Sequence, residues 1–249
     1  MTTLSRIWLN PLRSGGQRLL GSPQRLHAAI LGGFPDLSPT DRVLWRLDSD
    51  NAHRPTVLVL GKGHPDWSHL VEQAGWPSSD ADQVRVADYE PLLDQVVHGR
   101  EFRFKVTANP VQSVRPAAPG PDGRYGRFAR MGHRTEAHQR QWFLDRTDRW
   151  GFSVAGASLP EPPPGLEPED GPFETVRVTH RQRHNFQKGN GRRRVTIQTA
   201  TFEGLLTVTD TAALRASLLD GIGPAKAYGC GLVTLAPTRN VESSDVVAG

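Results

Sequence analysis

Short apolar runs punctuate the first half of the chain. LSRIWL (residues 4–9), VLWRL (43–47), TVLVL (56–60), VRVADYEPLL (84–93) and FRFKVT (102–107) carry the alternating or continuous apolar pattern of short strands. Between the first two lies the best helix start in the sequence. Ser22 stands as N-cap and Pro23 at the first helical position, and QRLHAAIL follows until Gly32-Gly33 ends it. A weaker helical pattern covers 66–74. The order strand, helix, strand, strand, helix, strand is that of the ferredoxin-like split βαβ unit.

The second half repeats an α+β alternation. A helix rich in Arg and Trp is expected over His133–Trp150, then strands FETVRVT, RRVTIQTA and EGLLTV, and a helix TAALRASLL capped by Asp210 and closed at Gly221. A strand GLVTLAP and a polar tail end the chain. VRPAAPGPDGR (114–124) and PEPPPGLEPEDGP (160–172) cannot hold a helix or a central strand and read as linkers or surface loops. The expected class is therefore α+β, two tandem ferredoxin-like (RRM-like) βαββαβ domains. Residues 1–113 form the first, 114–131 a linker, 132–237 the second and 238–249 a tail.

Composition narrows the setting. With 249 residues, 37% hydrophobic and 22% charged, the chain is long enough for one large or two small cores, and disorder throughout is excluded. One cysteine, Cys230, can form neither an internal disulfide nor a cysteine-based zinc site, and a reducing cytoplasm is the expected compartment. No apolar run approaches the ~20 residues of a membrane-spanning helix, and Arg6 and Asn10 interrupt the N-terminal one. No membrane partner is expected.

The formal net charge is only +4, but it is unevenly placed. Thr175–Phe202 holds seven basic residues (Arg177, Arg181, Arg183, Lys188, Arg192, Arg193, Arg194) and no carboxylate. A solvated basic loop and a local polyanion site are both consistent with such a run. Strand alternation places Val176 and Val178 on one face and Arg177, Thr179 and Arg181 on the other. Gly189-Asn190-Gly191 makes the segment a long basic β-hairpin, with Lys188 and Arg193 toward its tip. Its chemistry suits phosphates.

The string GIGPAKAYGCG, Gly221–Gly231, has no Gly-Lys-Ser/Thr and runs from helix to strand, the reverse of a Walker or dinucleotide-binding loop. ATP and NAD are disfavoured. By itself the string reads as a tight connection whose backbone N–H groups can also approach a phosphate. His27 sits one position off the Leu26/Ile30 stripe, at the edge of the buried face, with a side chain whose pKa class suits proton transfer near neutrality. His180 and His184 have HxxxH spacing without the glutamate of a zinc site and read as part of an RNA surface. His133 and His138 have no carboxylate partner at metal-ligand spacing either. The pairs Asp48/Asp50 and Asp80/Asp82 lack a third ligand, so neither a metal site nor a two-metal nuclease is supported.

Several of these strings together resemble one family, the CRISPR precursor-RNA endoribonucleases of the type I-E Cascade complex (the CasE family). The resemblance runs through QRLHAAILGGFP, FRFKVTANPV, IQTATFEGLLTVTD and GIGPAKAYGCGLVTLAP, in order, over nearly the whole chain. It implies two tandem ferredoxin-like domains and metal-free, cofactor-free cleavage at the base of the CRISPR repeat RNA stem-loop. The RNA's own 2′-hydroxyl attacks, giving a 2′,3′-cyclic phosphate and a 5′-hydroxyl. It implies His27 as the catalytic histidine, acting as acid or base. Gly221, Gly223, Lys226, Gly229 and Gly231 become an RNA-contacting loop, and the basic hairpin becomes the element that grips the stem. It also implies retention of the product among the other Cascade subunits. Some relatives carry a tyrosine three residues before the histidine, where this chain has Gln24; Gln24, Tyr228 or Lys226 is the expected helper. The missing tyrosine also motivates a second reading, a catalytically silent RNA-hairpin-binding subunit.

Overall fold

The computed structural model describes residues 1–77, 83–114, 129–154, 176–188 and 193–238. The architecture is mixed α/β, built on antiparallel sheets. The first half runs β1 (Thr2–Trp8), α1 (Ser14–Leu20), α2 (Pro23–Leu31), β2 (Leu44–Asp48), β3 (Thr56–Lys62), α3 (Ser68–Ala74), β4 (Val84–Asp88) and α4 (Glu90–Leu93). Its strands lie in the order β2-β3-β1-β4, every neighbour antiparallel. The run expected as one strand over 84–93 divides, because the chain turns at Tyr89 and Pro91 opens a helical turn.

The second half runs β5 (Glu101–Ala108), β6 (Val111–Val114), β7 (Ala129–Gly132), α5 (Glu136–Leu144), β8 (Phe152–Ser153), β9 (Val176–Lys188), β10 (Arg193–Val208), α6 (Thr211–Asp220) and β11 (Val233–Pro237). Here the order is β11-β5-β10, with β8 and β9 also pairing with β10. The sequence reading grouped β5 with the first half; its hydrogen bonds run to β10 and β11 instead. Its alternation explains why, since Phe102, Phe104, Val106 and Ala108 all enter the second core. RRVTIQTA and EGLLTV, read as separate strands, are one continuous β10, with Gly204 paired between Phe104 and Val176. The helix expected over 133–150 is shorter. Thr135 caps α5 by accepting from the His138 N–H, and after Asp145 the chain makes only a single turn at Asp148–Trp150.

Strands β2 and β3 of the first sheet are covered on both faces, which is why they read as near-continuous apolar runs, whereas the edge strand β4 is largely exposed. Ile7, Trp45, Val57 and Val59 pack under α2 and α3 with Leu26, Ile30, Trp67 and Leu70. Leu44 and Leu60, on the other face, join the second core with Phe104, Phe143, Phe202 and Leu218. Arg46 fastens the two halves. Its side chain is 3% exposed and pairs with Asp48 through Nε (2.8 Å) and a terminal nitrogen (3.0 Å). Its other terminal nitrogen donates to the Lys105 carbonyl on β5 (2.6 Å) and to the Leu232 carbonyl beside β11 (3.3 Å).

Candidate functional site

Helix α2 places His27. Ser22 Oγ accepts from the Arg25 N–H, Pro23 fills the first turn, and Leu26 and Ile30 anchor the helix to the sheet. That leaves His27 half-buried on the shoulder of the apolar stripe, with Gln24 one turn earlier on the same side. The indole Nε1 of Trp45 donates to His27 Nδ1 at 3.2 Å, and the two rings lie 21° from parallel. Burial holds the His27 pKa below its usual value.

Beside this helix opens a cleft of about 450 Å³. Pro23, Leu26 and Trp45 line one side, Thr107, Thr199 and Thr201 the floor, His180, Gln182 and His184 of β9 another side, and Tyr228 and Gly229 close it. A β-bulge brings the histidines there. Val178 pairs with Phe202, but His180, not Thr179, pairs with Thr201, so one extra residue reverses the alternation of β9. His180 and His184 therefore share the face of Thr199 and Thr201. Arg181, expected opposite Val178, lies instead on the Val178 face, opposite Ala200, where it donates to the Arg134 carbonyl. Burial, then the neighbouring His180, lowers the His184 pKa.

The glycine-dense loop packs against α2 and β2 through its one-turn helix Lys226–Tyr228. Its glycines are there for the backbone. Gly229 has φ +81°, and a Cβ on it would fall 2.8 Å from the Trp45 ring; Gly221 has φ +73° and would meet Leu44 at 2.7 Å. Gly223 and Gly231 also have positive φ. The N–H groups of Gly221, Ile222, Tyr228, Gly229 and Gly231 donate to the Ser217, Gly231, Ala225, Lys226 and Thr107 carbonyls, so these five donors of the loop are spent inside the protein.

The two expected helpers in this loop part company. Tyr228 lines the histidine cleft, whereas Lys226 lines a separate cavity of about 930 Å³ with Arg42, Arg146 and Arg149 around it, together with Trp142 and Asp220. Burial and then Arg42 lower the Lys226 pKa, with Asp220 partly opposing them. Arg146 is fixed over the Trp142 ring at 4.8 Å and donates to the Trp142 carbonyl. Arg146 and Arg149 stand three residues apart in sequence, and Arg42 joins them from a distant segment that no spacing in the chain pointed to.

Arg177, Arg181 and Arg183 are exposed on β9. Lys188, Arg193 and Arg194 lie in β9 and β10, with side chains outside those described; Arg192 and Asp80/Asp82 lie outside the described residues. The Asp48/Asp50 pair is taken by cations: Arg46 holds Asp48, and Lys105 Nζ lies 2.6 Å from Asp50 and 3.0 Å from Glu203. Among the described residues no three His, Cys, Asp or Glu side chains gather as a metal site, and no helix is long and apolar enough to cross a membrane. Cys230 is buried, its thiol pKa pushed up to about 12 by desolvation.

A family model described as CRISPR associated protein matches residues 3–237, and the chain belongs to that family. Within it the similarity runs to the CasE and Cse3 proteins. CRISPR system Cascade subunit CasE of Escherichia coli is 48% identical over 209 residues, covering 81% of this chain and 92% of the relative. CRISPR-associated endoribonuclease Cse3 of Thermus thermophilus is 28% identical over 242 residues, covering 94% and 99%. A solved structure of CRISPR endoribonuclease Cse3 bound to a 19-nucleotide RNA matches with TM-score 0.67 and 28% identity, covering 95% of this chain and 99% of that one.

Proposed function

We propose that the protein is a cytoplasmic endoribonuclease that cuts precursor CRISPR RNA at the base of the repeat stem-loop without a metal, and then stays on the mature guide as a Cascade subunit. The observation that carries this reading is the convergence of α2, the glycine-dense loop and β9 of the basic hairpin on one cleft lined by His180 and His184, with His27 outside its lining but hydrogen-bonded to Trp45 in its wall, in a member of this family. The strand orders support two ferredoxin-like βαββαβ units. Counted within each half, and leaving aside the separate β6-β7 pair and the two-residue β8, both sheets read fourth, first, third, second: β4-β1-β3-β2 and β11-β5-β10-β9. The second unit then begins at β5, not beyond residue 113.

His27 acts at the scissile phosphate. The P–O2′ bond forms, the P–O5′ bond breaks, and in sum one proton moves from the 2′-hydroxyl to the 5′-oxygen. The products are a 2′,3′-cyclic phosphate and a 5′-hydroxyl, with no atom supplied by a cofactor. Such chemistry needs in-line positioning and hydrogen bonding at the transition state. The exposed Arg177, Arg181 and Arg183, the rest of the hairpin's basic run, and the cavity around Lys226 act on RNA phosphates, since side chains read the deep A-form groove poorly.

The test is single-turnover cleavage of the host's CRISPR repeat RNA in EDTA, wild type against His27→Ala. Cleavage by the wild type alone, with both proteins binding the RNA, is the expected result. Arrest of the wild type by EDTA overturns the metal-free mechanism, and equal cleavage by both overturns the role of His27. Binding without cleavage by either protein leaves the silent hairpin-binding subunit as the better reading.

A further inference from the structure

We infer that Trp45 is a positioning residue: its indole N–H fixes His27 as a neutral imidazole with the proton on Nε2, so that His27 meets RNA as a hydrogen-bond donor and not as a base. The inference rests on the reading that His27 works at the scissile phosphate, and it decides between the roles that reading leaves open. An indole nitrogen can only donate. At 3.2 Å from Trp45 Nε1, His27 Nδ1 must therefore supply a lone pair, and a neutral ring then carries its proton on Nε2.

The indole has little freedom to turn away. Trp45 is 2% exposed and paired with Val59 in β2, among Ile7, Leu26 and Val57 of the first core, with Gly229 against its benzo edge. If His27 swung out, Trp45 Nε1 would be a buried donor without a partner, which disfavours that movement. Protonating His27 at Nδ1 would set two N–H groups against each other, and burial already disfavours the charged ring. The charged and titratable groups on the elements around α2 are Arg18 of α1, Arg46 and Asp48 of β2, Lys226 and Tyr228 of the glycine-dense loop and His69 and Glu72 of α3. Arg25 is on α2 itself. Burial alone shifts His27.

The consequence for the reaction is specific. With Nδ1 engaged and Nε2 protonated, His27 has no lone pair for the 2′-hydroxyl proton. Its Nε2–H can hydrogen-bond the phosphate or the leaving 5′-oxygen, as a neutral imidazole polarises an oxygen in other enzymes. The 2′-hydroxyl proton leaves to water or to a group of the neighbouring cleft, and the leaving 5′-oxygen takes its proton from water, so that one proton passes in sum from the 2′- to the 5′-oxygen. Gly229 becomes part of the same device, because only glycine lets the loop press against the indole.

The experiment is nitrogen-15 NMR of histidine-labelled full-length protein, with His27 assigned by His27→Ala, comparing wild type with Trp45→Phe. Wild type is expected to show Nε2–H for His27 and a scalar coupling across the Trp45 N–H···N bond. Trp45→Phe, which keeps an aromatic ring and loses the donor, is expected to mix the two tautomers and raise the His27 pKa. In single-turnover cleavage, wild type should be fast at neutral pH and fall in acid. Trp45→Phe should move that fall to higher pH, with roughly a tenfold loss of rate at neutral pH. A proton on Nδ1 in the wild type, or an unchanged tautomer and pKa in Trp45→Phe, overturns the inference. The coupling is read on the wild type, so an unfolded variant does not block the test. The NMR arm needs no RNA, so a protein that shows the tautomer but cuts nothing counts against the functional reading and not against Trp45.

Discussion

The glycine-dense loop has two sides, and they are chemically unlike. On the side of Tyr228 and Gly229, the cleft holds histidines, threonines and an indole, and its described lining carries no lysine, arginine or carboxylate. On the side of Gly221–Ala227, the cavity holds Arg42, Arg146, Arg149 and Lys226 against a single Asp220. Groups that titrate near neutrality and are partly shielded from water suit proton movement. Cations open to solvent suit capture of a phosphate backbone. One loop walls off both, so in the proposed reading binding and cleavage are separable by substitution.

The largest effect tests that separation. His27→Ala should lower single-turnover cleavage by about 10²–10³-fold, the usual worth of one hydrogen-bond donor to the transition state, with RNA affinity nearly unchanged. Arg149→Ala, across the loop, should do the opposite: weaker binding, a salt slope lower by about one, and unchanged cleavage once the RNA is saturating. Titrations at several salt concentrations beside single-turnover rates read both. If Arg149→Ala slows cleavage at saturation, the two sides are one site.

Next in size is the fastener that holds both sides in register. Arg46→Ala would strip Asp48 and the Lys105 and Leu232 carbonyls of a buried partner. A loss of about 3 kcal/mol in urea unfolding is expected, within the range for breaking a buried ion pair. Arg46→Met keeps volume without charge and should recover little, because the carbonyls stay unpartnered. Stability within about 0.5 kcal/mol of wild type for Arg46→Ala would remove Arg46 as the fastener.

How far the chain could be read from its letters differs between these regions for physical reasons. Helix α2 was legible because Ser22, Pro23 and the Leu26/Ile30 stripe are local signals. Helix α1 was not. Its Gly15 and Gly16 argue against a helix, and only tertiary contact explains them: a Cβ at either would fall about 2 Å from the carbonyl oxygen of Gln73 or Asn10. The sheet to which β5 belongs is a long-range pairing that alternation does not encode. The histidine cleft was invisible because one bulged residue, Thr179, reverses which side chains of β9 face inward. Arg42 meets the neighbouring pair Arg146 and Arg149 only through the fold, whereas His27, Tyr228 and the glycines stood out by type and spacing.

Gly229→Ala sharpens the comparison more gently. The left-handed backbone alone should cost about 1–2 kcal/mol, and the new methyl would press the Trp45 ring, so cleavage should fall further than binding. Gly223→Ala has the same backbone strain, but its Cβ would meet Trp142 at an ordinary 3.4 Å, on the basic side. It should lose stability without the selective loss of cleavage. Thermal unfolding beside single-turnover rates separates them; equal loss of cleavage from both would mean that the loop transmits strain without regard to side.

The smallest effect is on stability against pH, and its sign follows from the same asymmetry. His27 and His184 have pKa values lowered by burial, so between the lowered values and the ordinary one the unfolded chain binds protons that the folded chain does not. Stability should therefore be level above about pH 7 and decline as the pH falls through about 6.5 and below. Lys226 works at the other end of the scale: its lowered pKa makes the folded chain give up a proton before the unfolded chain does, so its burial costs stability at neutral pH and that cost is relieved only in alkali. The acid decline thus reports His27 and the histidine cleft beside it and not the basic cavity. Urea midpoints from pH 5 to pH 8 should show it, and His184→Gln, which keeps a polar side chain without a titrating ring, should flatten it. A decline unchanged by His184→Gln and by Trp45→Phe would mean that His133, also lowered by burial but outside both clefts, carries the acid sensitivity instead.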